Sequence, residues 1–125
     1  LHLKDVSVPV CAIGCETDHI AAWKDSYRGV QGMGSRSKQF ILSQSGHIAG
    51  IINPPSKKKY GHFTNQDLTL SSDQWQKTAD FNSGSWWPSW SAWLTRRSGK
   101  KIAARHFSEA ERGNLPDAPG RYVRL

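Results

Sequence analysis

The sequence predicts an α/β fold in which two parallel strands, joined by a crossover helix, precede a helical tail. Two short apolar runs flank a segment of helical periodicity, and strand–helix–strand units of this kind form parallel sheets. The first run, SVPVCAIGC over residues 7–15, does not alternate polar and apolar side chains, which is typical of a strand covered on both faces. At 125 residues the chain is at most one domain.

The elements of the first half follow in order along the chain. After the strand at residues 7–15 and the charged loop ETDHI, residues 21–33 predict a helix that Gly32 and Gly34 end. The apolar stripe of this helix consists of Ala22, Trp23, Tyr27 and Val30. The second strand is expected over residues 37–44, SKQFILSQ.

The middle of the chain is expected to be irregular and then to become helical. In INPPSKKKYGHF, residues 52–63, Pro54 and Pro55 interrupt both helices and strands, so no regular element is predicted there. A short helix is predicted in SSDQWQKTADF, with Ser72 or Asp73 as its N-cap.

A second tail helix is predicted in SGSWWPSWSAWLTRRSG, because Pro88 suits a first helical turn and Arg96 and Arg97 suit a last one. One face of this helix carries an apolar row, Trp86, Trp90, Trp93 and Leu94. We expect the row to pack over the sheet as core, with the lining of a binding tunnel or of a dimer surface as the alternative. A last short helix is expected over residues 108–112.

The charge balance favours anionic partners. The chain has 17 basic and 10 acidic residues and a net charge of +7, which suits nucleic acid, phosphorylated cofactors or acidic lipid surfaces. The basic residues are dispersed, so each local group is either a solvated face or a binding surface. These groups are Lys57 to Lys59, Arg96 with Arg97, Lys100 with Lys101, and Arg105.

The two cysteines, Cys11 and Cys15, are expected to be free thiols that are at least partly buried. Without a second pair they do not suggest zinc, and a disulfide between a strand and its own turn would be strained. Free thiols fit a reducing compartment. No apolar run reaches membrane-spanning length and no signal peptide opens the chain, which begins at Leu1 rather than Met. We therefore expect a soluble, intracellular piece of a larger protein.

Asp18 and His47 are the candidate catalytic residues. Each follows the carboxyl end of a predicted strand, and in open parallel sheets these ends are where sites are built. In α/β-hydrolase folds the chain order is nucleophile, acid, histidine, and the last two members occur here in that order.

The nucleophile is missing from this pattern. A nucleophile elbow needs a small-x-Ser/Cys-x-small motif between a strand and a helix. Cys15 lies in IGCET with no helix starting there, and Ser45 directly adjoins the histidine turn in QSGHI. The elbow is therefore expected upstream, outside this chain.

Several motifs resemble the C-terminal part of poly(3-hydroxyalkanoate) synthases, the polymerases of intracellular polyesters. They are DHIAAW, SGHIAGIINPPSKKK, GSWWPSWSAWL and APGRYV, and the resemblance extends over residues 1–125. SGHIAGIINPPSKKK resembles the type that uses short-chain substrates such as 3-hydroxybutyryl-CoA. The chain departs from the family at IAAW, where Val-Pro-Trp is common, and at CAIGCETDHI, where Arg or Lys often precedes the Glu.

The resemblance implies the C-terminal portion of an α/β-hydrolase catalytic domain with a Cys-His-Asp triad. Asp18 matches the acid and His47 the histidine, while the cysteine lies outside the chain. The implied reaction transfers a hydroxyacyl group from a CoA thioester to cysteine, extends a polyester and releases CoA. CoA thioester is substrate, and no cofactor or metal is implied. The implied partners are the growing polyester, the granule surface in the cytoplasm and a second subunit of a homodimer; nucleic acid is not expected.

Two other classes of function stay open. A hydrolase of the same fold, such as a thioesterase or polyester depolymerase, would share Asp18 and His47 but usually has a serine nucleophile. A basic module that binds nucleic acid or another anionic surface is the other class. The upstream elbow separates transferase from hydrolase.

The remaining polar residues receive simpler expectations. Lys57, Lys58 and Lys59 are candidates for attracting CoA phosphates, with a solvated loop as the alternative. His19 is expected to be structural, with its imidazole bonded to nearby backbone. The histidines expected on the ordinary surface are His62 and His106.

Overall fold

The computed structural model describes residues 2–105, 108, 113 and 116–125. Within them lie four strands and three α-helices: β1 (Val10–Cys15), α1 (Trp23–Gly32), β2 (Lys38–Ser43), β3 (His62–Thr64), α2 (Ser72–Lys77), β4 (Asp80–Asn82) and α3 (Trp87–Thr95). Single turns of 3-10 helix occur at Leu3–Asp5, Pro55–Lys57 and Tyr122–Arg124. No described helix has the length and apolar character needed to cross a bilayer.

The predicted strand–helix–strand unit is confirmed. β1 and β2 pair in parallel, with Cys15 opposite Ser43 at their carboxyl ends, and α1 makes the crossover. Trp23, Tyr27 and Val30 are buried on α1 as expected, since they recur on one helical face. Ala22 is not part of this stripe, because it precedes the helix and is exposed.

The sheet is mixed, with strand order β1-β2-β3-β4, because β3 and β4 join it in antiparallel pairs. The prediction that no regular element forms in residues 52–63 was therefore wrong at its end, and Pro55–Lys57 also forms a turn of 3-10 helix. Pro54 and Pro55 restrict only their own surroundings, and β3 begins at His62. The helix predicted in SSDQWQKTADF also ends early, at Lys77, since Asp80–Asn82 pairs with β3.

The core fills the space between the sheet and the first two helices. Its buried members are Trp23, Tyr27, Val30, Phe40, Leu42 and Trp75. Aromatic rings dominate it: the Tyr27 and Phe40 centroids are 5.3 Å apart, and those of Phe40 and Trp75 are 5.4 Å apart, both in edge-to-face geometry.

The N-cap of α2 is Ser71, rather than Ser72 or Asp73. The Ser71 hydroxyl accepts a hydrogen bond from the backbone N–H of Gln74, and the Gln74 side chain accepts one from the Ser71 backbone. A capping box needs its two side chains three positions apart, and here the second is a glutamine. The helix therefore begins one residue earlier than a Ser72 cap would place it, and two residues earlier than an Asp73 cap would.

Apart from Trp86, the apolar row of α3 is not buried, which corrects the expectation that the row packs as core. Trp86, just before the helix, is buried, but Trp90 is 38% exposed and Leu94 is 40% exposed. The C-terminal end of α3 is held by Arg97, which donates a hydrogen bond to the Ser37 hydroxyl. The guanidinium of Arg97 also lies over the Trp93 ring. None of the four residues belongs to the buried cluster between the sheet and the first two helices. The helix expected over residues 108–112 falls largely outside the described residues.

Candidate active site

Two loops meet at the carboxyl ends of β1 and β2 because the parallel ladder continues beyond both strands. The backbone N–H of Glu16 donates to the Ser43 carbonyl at 2.8 Å, and that of Thr17 donates to the Ser45 carbonyl at 3.1 Å. The loop after β1 is thus tied residue by residue to the loop after β2. This pairing brings Asp18 and His47 to the same edge of the sheet.

Asp18 is held by its own loop. Its Oδ1 atom accepts hydrogen bonds from the backbone N–H groups of Ile20 at 2.8 Å and Ala21 at 2.9 Å. Its Oδ2 atom lies 2.8 Å from Nδ1 of His47, and the side chain is only 7% exposed. The Ala21 N–H bond and the His47 contact lower the pKa of Asp18 to about 2, so the carboxylate is charged at neutral pH.

His47 lies on a turn that is closed by backbone bonding. The N–H of Gly50 donates to the Gly46 carbonyl at 2.9 Å, so residues 46–50 form a hydrogen-bonded turn that contains His47. Half of the His47 side chain remains exposed, 49% by area. Because Nδ1 faces Asp18, Nε2 is the nitrogen that is left for a reacting group, and it has no hydrogen-bond partner within the described chain. A carboxylate on Nδ1 holds an imidazole ready to accept a proton at Nε2.

Gly50 explains why the turn sits so close to the sheet. A Cβ atom at this position would lie 2.7 Å from Sγ of Cys15 and 2.9 Å from the carbonyls of Gln44 and Gly46. Only glycine fits this close approach of backbone to strand. Gly50, three residues after His47, therefore allows the turn to lie this close to β1.

The cysteines are free, as expected, with Cys11 half-buried and Cys15 buried. Burial, and then the nearby Asp18 charge, raise the pKa of the Cys15 thiol. Burial also raises the pKa of Cys11, against an opposing effect of Arg97. Both thiols are thus held in the protonated form, which is the opposite of what a cysteine nucleophile needs.

The three lysines of the loop after β2 do not all line the same cavity. All three are exposed, and Lys57 and Lys59 line an open cavity of about 430 Å³ with Ile48, Ala49, Ile52, Asn53 and Tyr60. Lys58 does not line this cavity, and its backbone adopts the left-handed conformation. Two of the three candidate lysines therefore share one cavity with residues that directly follow His47.

The other histidines differ from expectation. His62 is not a surface residue: it is 4% exposed, its Nδ1 lies 3.0 Å from the Gly84 carbonyl, and its Nε2 lies 3.2 Å from the Ser89 hydroxyl. It became buried because β3, which was not predicted, carries it against the segment before α3. His19 is exposed and makes no hydrogen bond within the described chain, so its expected backbone bonding was wrong. His106 lies outside the described residues.

Two contacts to the segment after His47 were not predicted. The indole N–H of Trp86 donates to the Gly50 carbonyl at 2.8 Å, and that of Trp87 donates to the Ile51 carbonyl at 2.9 Å. Each tryptophan has one indole N–H that needs a hydrogen-bond acceptor when the side chain is buried. The sequence shows these two donors but not the carbonyls that accept from them. Among the described residues, no cluster of three or more His, Cys, Asp or Glu side chains could hold a metal ion.

Comparison with known proteins connects this geometry to a family. No protein-family model matches the sequence. The poly(3-hydroxyalkanoate) polymerase subunit PhaC of Cupriavidus necator is 42% identical over 98% of the chain, which is 21% of that protein. PhaC of Rhizobium etli is 37% identical over 98% of the chain and 19% of that protein. The poly(3-hydroxyalkanoate) polymerase of Methylorubrum extorquens is 36% identical over 100% of the chain and 21% of that protein.

The similarity is continuous, since it leaves almost no part of the chain unmatched, although the chain spans only about one fifth of the length of these curated relatives. The chain therefore belongs, over the segment that it spans, to the poly(3-hydroxyalkanoate) polymerase family.

Proposed function

We propose that the longer polypeptide containing this chain polymerises (R)-3-hydroxyacyl-CoA, with 3-hydroxybutyryl-CoA as substrate, into polyhydroxyalkanoate. In this proposal the chain supplies Asp18 and His47 as two members of a Cys-His-Asp triad on an α/β-hydrolase sheet. One observation carries the proposal: Oδ2 of Asp18 and Nδ1 of His47 are 2.8 Å apart where two parallel strands end. The similarity to polymerases supports the choice of reaction.

The first half of the reaction charges the enzyme. Nε2 of His47 takes the proton of a cysteine thiol outside this chain, and the thiolate attacks the carbonyl carbon of the thioester. The bond from that carbon to the CoA sulfur breaks, the acyl group stays on cysteine, and the imidazolium returns its proton to the departing CoA thiolate. Asp18 stabilises the imidazolium through Nδ1.

The second half extends the polyester. The terminal hydroxyl of the growing chain attacks the acyl-cysteine carbon, the new ester bond forms, and the cysteine thiolate leaves and is reprotonated. Either His47 or Asp18 could take the hydroxyl proton. Asp18 suits this task poorly, because both of its oxygens are engaged, its side chain is nearly buried and its pKa is lowered to about 2. We therefore propose that the proton goes to Nε2 of His47.

The cavity beside His47 supplies a place for the CoA moiety. Its floor is apolar where Ile48 and Ile52 line it, and Lys57 and Lys59 add two positive charges. We propose that these two lysines attract the CoA phosphates, while Lys58 faces solvent. CoA then arrives and departs as substrate, and the chain needs no cofactor of its own.

The proposal extends to the assembly and location of the parent enzyme. We infer a homodimer that works in the cytoplasm at the surface of polyester granules. The net charge of +7 is compatible with an anionic surface, but it does not select one.

The test compares matched carboxylate variants in the polymerase that contains this chain. Asp18→Asn should lower CoA release from 3-hydroxybutyryl-CoA by about a thousandfold or more, because an amide on Nδ1 favours the wrong imidazole tautomer. Asp67→Asn is the control: Asp67 also accepts hydrogen bonds within its own loop, from Thr69, and its pKa is also lowered, but it contacts no histidine. Near-normal turnover of Asp18→Asn would refute the triad assignment.

A further inference from the structure

We propose that Trp86 and Trp87 are positioning residues, which hold the His47 turn at the distance from β1 at which the imidazole meets Asp18. The proposal rests on the catalytic role proposed for His47. It concerns residues that form no hydrogen bond with the histidine or the carboxylate in the described part of the chain, and that act through two backbone carbonyls.

The Gly50 carbonyl is held by two side chains from different elements. The hydroxyl of Ser43, the last residue of β2, donates to it at 2.8 Å, and the indole N–H of Trp86 donates to it at 2.8 Å. Ser43 is fully buried and Trp86 is 8% exposed, so water does not replace either donor easily. The carbonyl is thereby fixed between the sheet and the segment that begins α3.

The next carbonyl is held in the same way. The indole N–H of Trp87 donates to the Ile51 carbonyl at 2.9 Å. The hydrogen bond from Gly50 to Gly46 closes a turn that contains His47, and Ile51 directly follows this turn. A shift of either carbonyl therefore shifts the backbone that carries the imidazole.

The position of α3 is also fixed at its other end, by a hydrogen bond to the residue before β2. Arg97 donates to the Ser37 hydroxyl at 2.9 Å and to the Trp93 carbonyl at 2.9 Å, and its guanidinium lies 4.2 Å from the centre of the Trp93 ring. Ser37 precedes the start of β2, whereas the His47 turn follows its end. The helix thus connects the segments that flank the two ends of β2.

The test is kinetic and uses the polymerase that contains this chain. Trp86→Phe and Trp87→Phe each remove one indole donor and keep an aromatic ring. We expect each to lower kcat roughly tenfold with KM for 3-hydroxybutyryl-CoA nearly unchanged, since displacing a catalytic group by about 1 Å can cost about a hundredfold. Trp90→Phe is the matched control, because the Trp90 indole lies on the same helix and donates to no residue of the turn in the described chain; its kcat should stay within about twofold.

A double-mutant cycle separates positioning from general damage. In a His47→Gln background, Trp86→Phe should cause no further loss of turnover, because the group that it positions is gone. A merely structural role would lower turnover by the same factor in both backgrounds and would overturn the proposal. Normal turnover of His47→Gln itself would instead refute the proposed function.

Ser43→Ala keeps the proposal testable if the tryptophan variants do not fold. It removes the other donor to the Gly50 carbonyl without altering α3 and should also lower kcat several-fold at unchanged KM. An unchanged kcat for Ser43→Ala would show that the carbonyl contacts do not position His47. The same conclusion would follow if Trp86→Phe and Trp87→Phe both fold and keep the parent kcat.

Discussion

The backbone of Gly50 lies so close to the sulfur of Cys15 that a Cβ atom at position 50 would stand 2.7 Å from it. Two backbone carbonyls, of Gln44 and Gly46, would lie at 2.9 Å from the same atom. Because Gly50 closes the turn that contains His47, this contact limits how closely the turn can approach β1.

Gly50→Ala should therefore destabilise the protein. Overpacking of this kind costs about 1–3 kcal/mol in the free energy of unfolding, and the backbone atoms that surround the site cannot rotate away. Urea unfolding measures the loss. Gly29→Ala is the control: it lies in α1 with nothing within 4 Å of the added atom, and should stabilise by about 0.5–1 kcal/mol. Equal stability of the two variants would contradict the packing argument.

The stability of the protein should depend on Asp18 in acid. The pKa of Asp18 is lowered from 3.8 to about 2, first by the Ala21 N–H and then by His47. A lowered pKa means that the folded state favours the anion, so this contribution is complete above about pH 4 and is lost as the pH falls towards 2. Denaturant unfolding between pH 6 and 2 should show a smaller loss for Asp18→Asn than for the parent protein. Parallel curves for the two proteins would show that Asp18 contributes no such dependence.

Neither cysteine of this chain should behave as the nucleophile. Burial raises the pKa of both thiols, so iodoacetamide should alkylate Cys11 and Cys15 more slowly than free cysteine, as read by peptide mass spectrometry. In the whole polymerase, activity should instead follow alkylation of a cysteine elsewhere. Inactivation by a serine-directed fluorophosphonate, with thiol reagents having no effect, would favour the hydrolase alternative.

The lysines should separate into two groups. Lys57→Gln and Lys59→Gln should each raise KM for 3-hydroxybutyryl-CoA by about two- to fivefold, because an exposed charge pair contributes up to about 1 kcal/mol. The effect should shrink as salt is added. Lys58→Gln is the control, since Lys58 does not line the cavity. The same KM for all three variants would place the CoA phosphates elsewhere.

The parts of the fold that local sequence encodes were predicted well. The β1–α1–β2 unit depends on a β-branched run and on Trp23, Tyr27 and Val30 at helical spacing, and these signals lie within short windows of chain. Because parallel strands end at one edge, the same unit predicted that Asp18 and His47 would lie at a common edge. Their roles in catalysis remain predictions.

Short and distant pairings were not predictable in this way. β3 and β4 have three residues each, too few for a periodic pattern, and they form because β2 offers a free edge. The burial of His62 follows from that pairing. Trp90 and Leu94 are exposed although they share the apolar face of α3, and no pattern within the helix records how deeply that face packs.

Residues that are neighbours in the chain specify the order of strand, acid loop, helix, strand and histidine loop, so this order can be read without coordinates. How the His47 turn is held depends on contacts between distant segments. Gly50 and Trp86 are 36 residues apart, and the hydrogen bond between them exists only because the segment before α3 lies against the His47 turn. Periodicity describes one element at a time, whereas a contact between elements depends on the distances that folding sets.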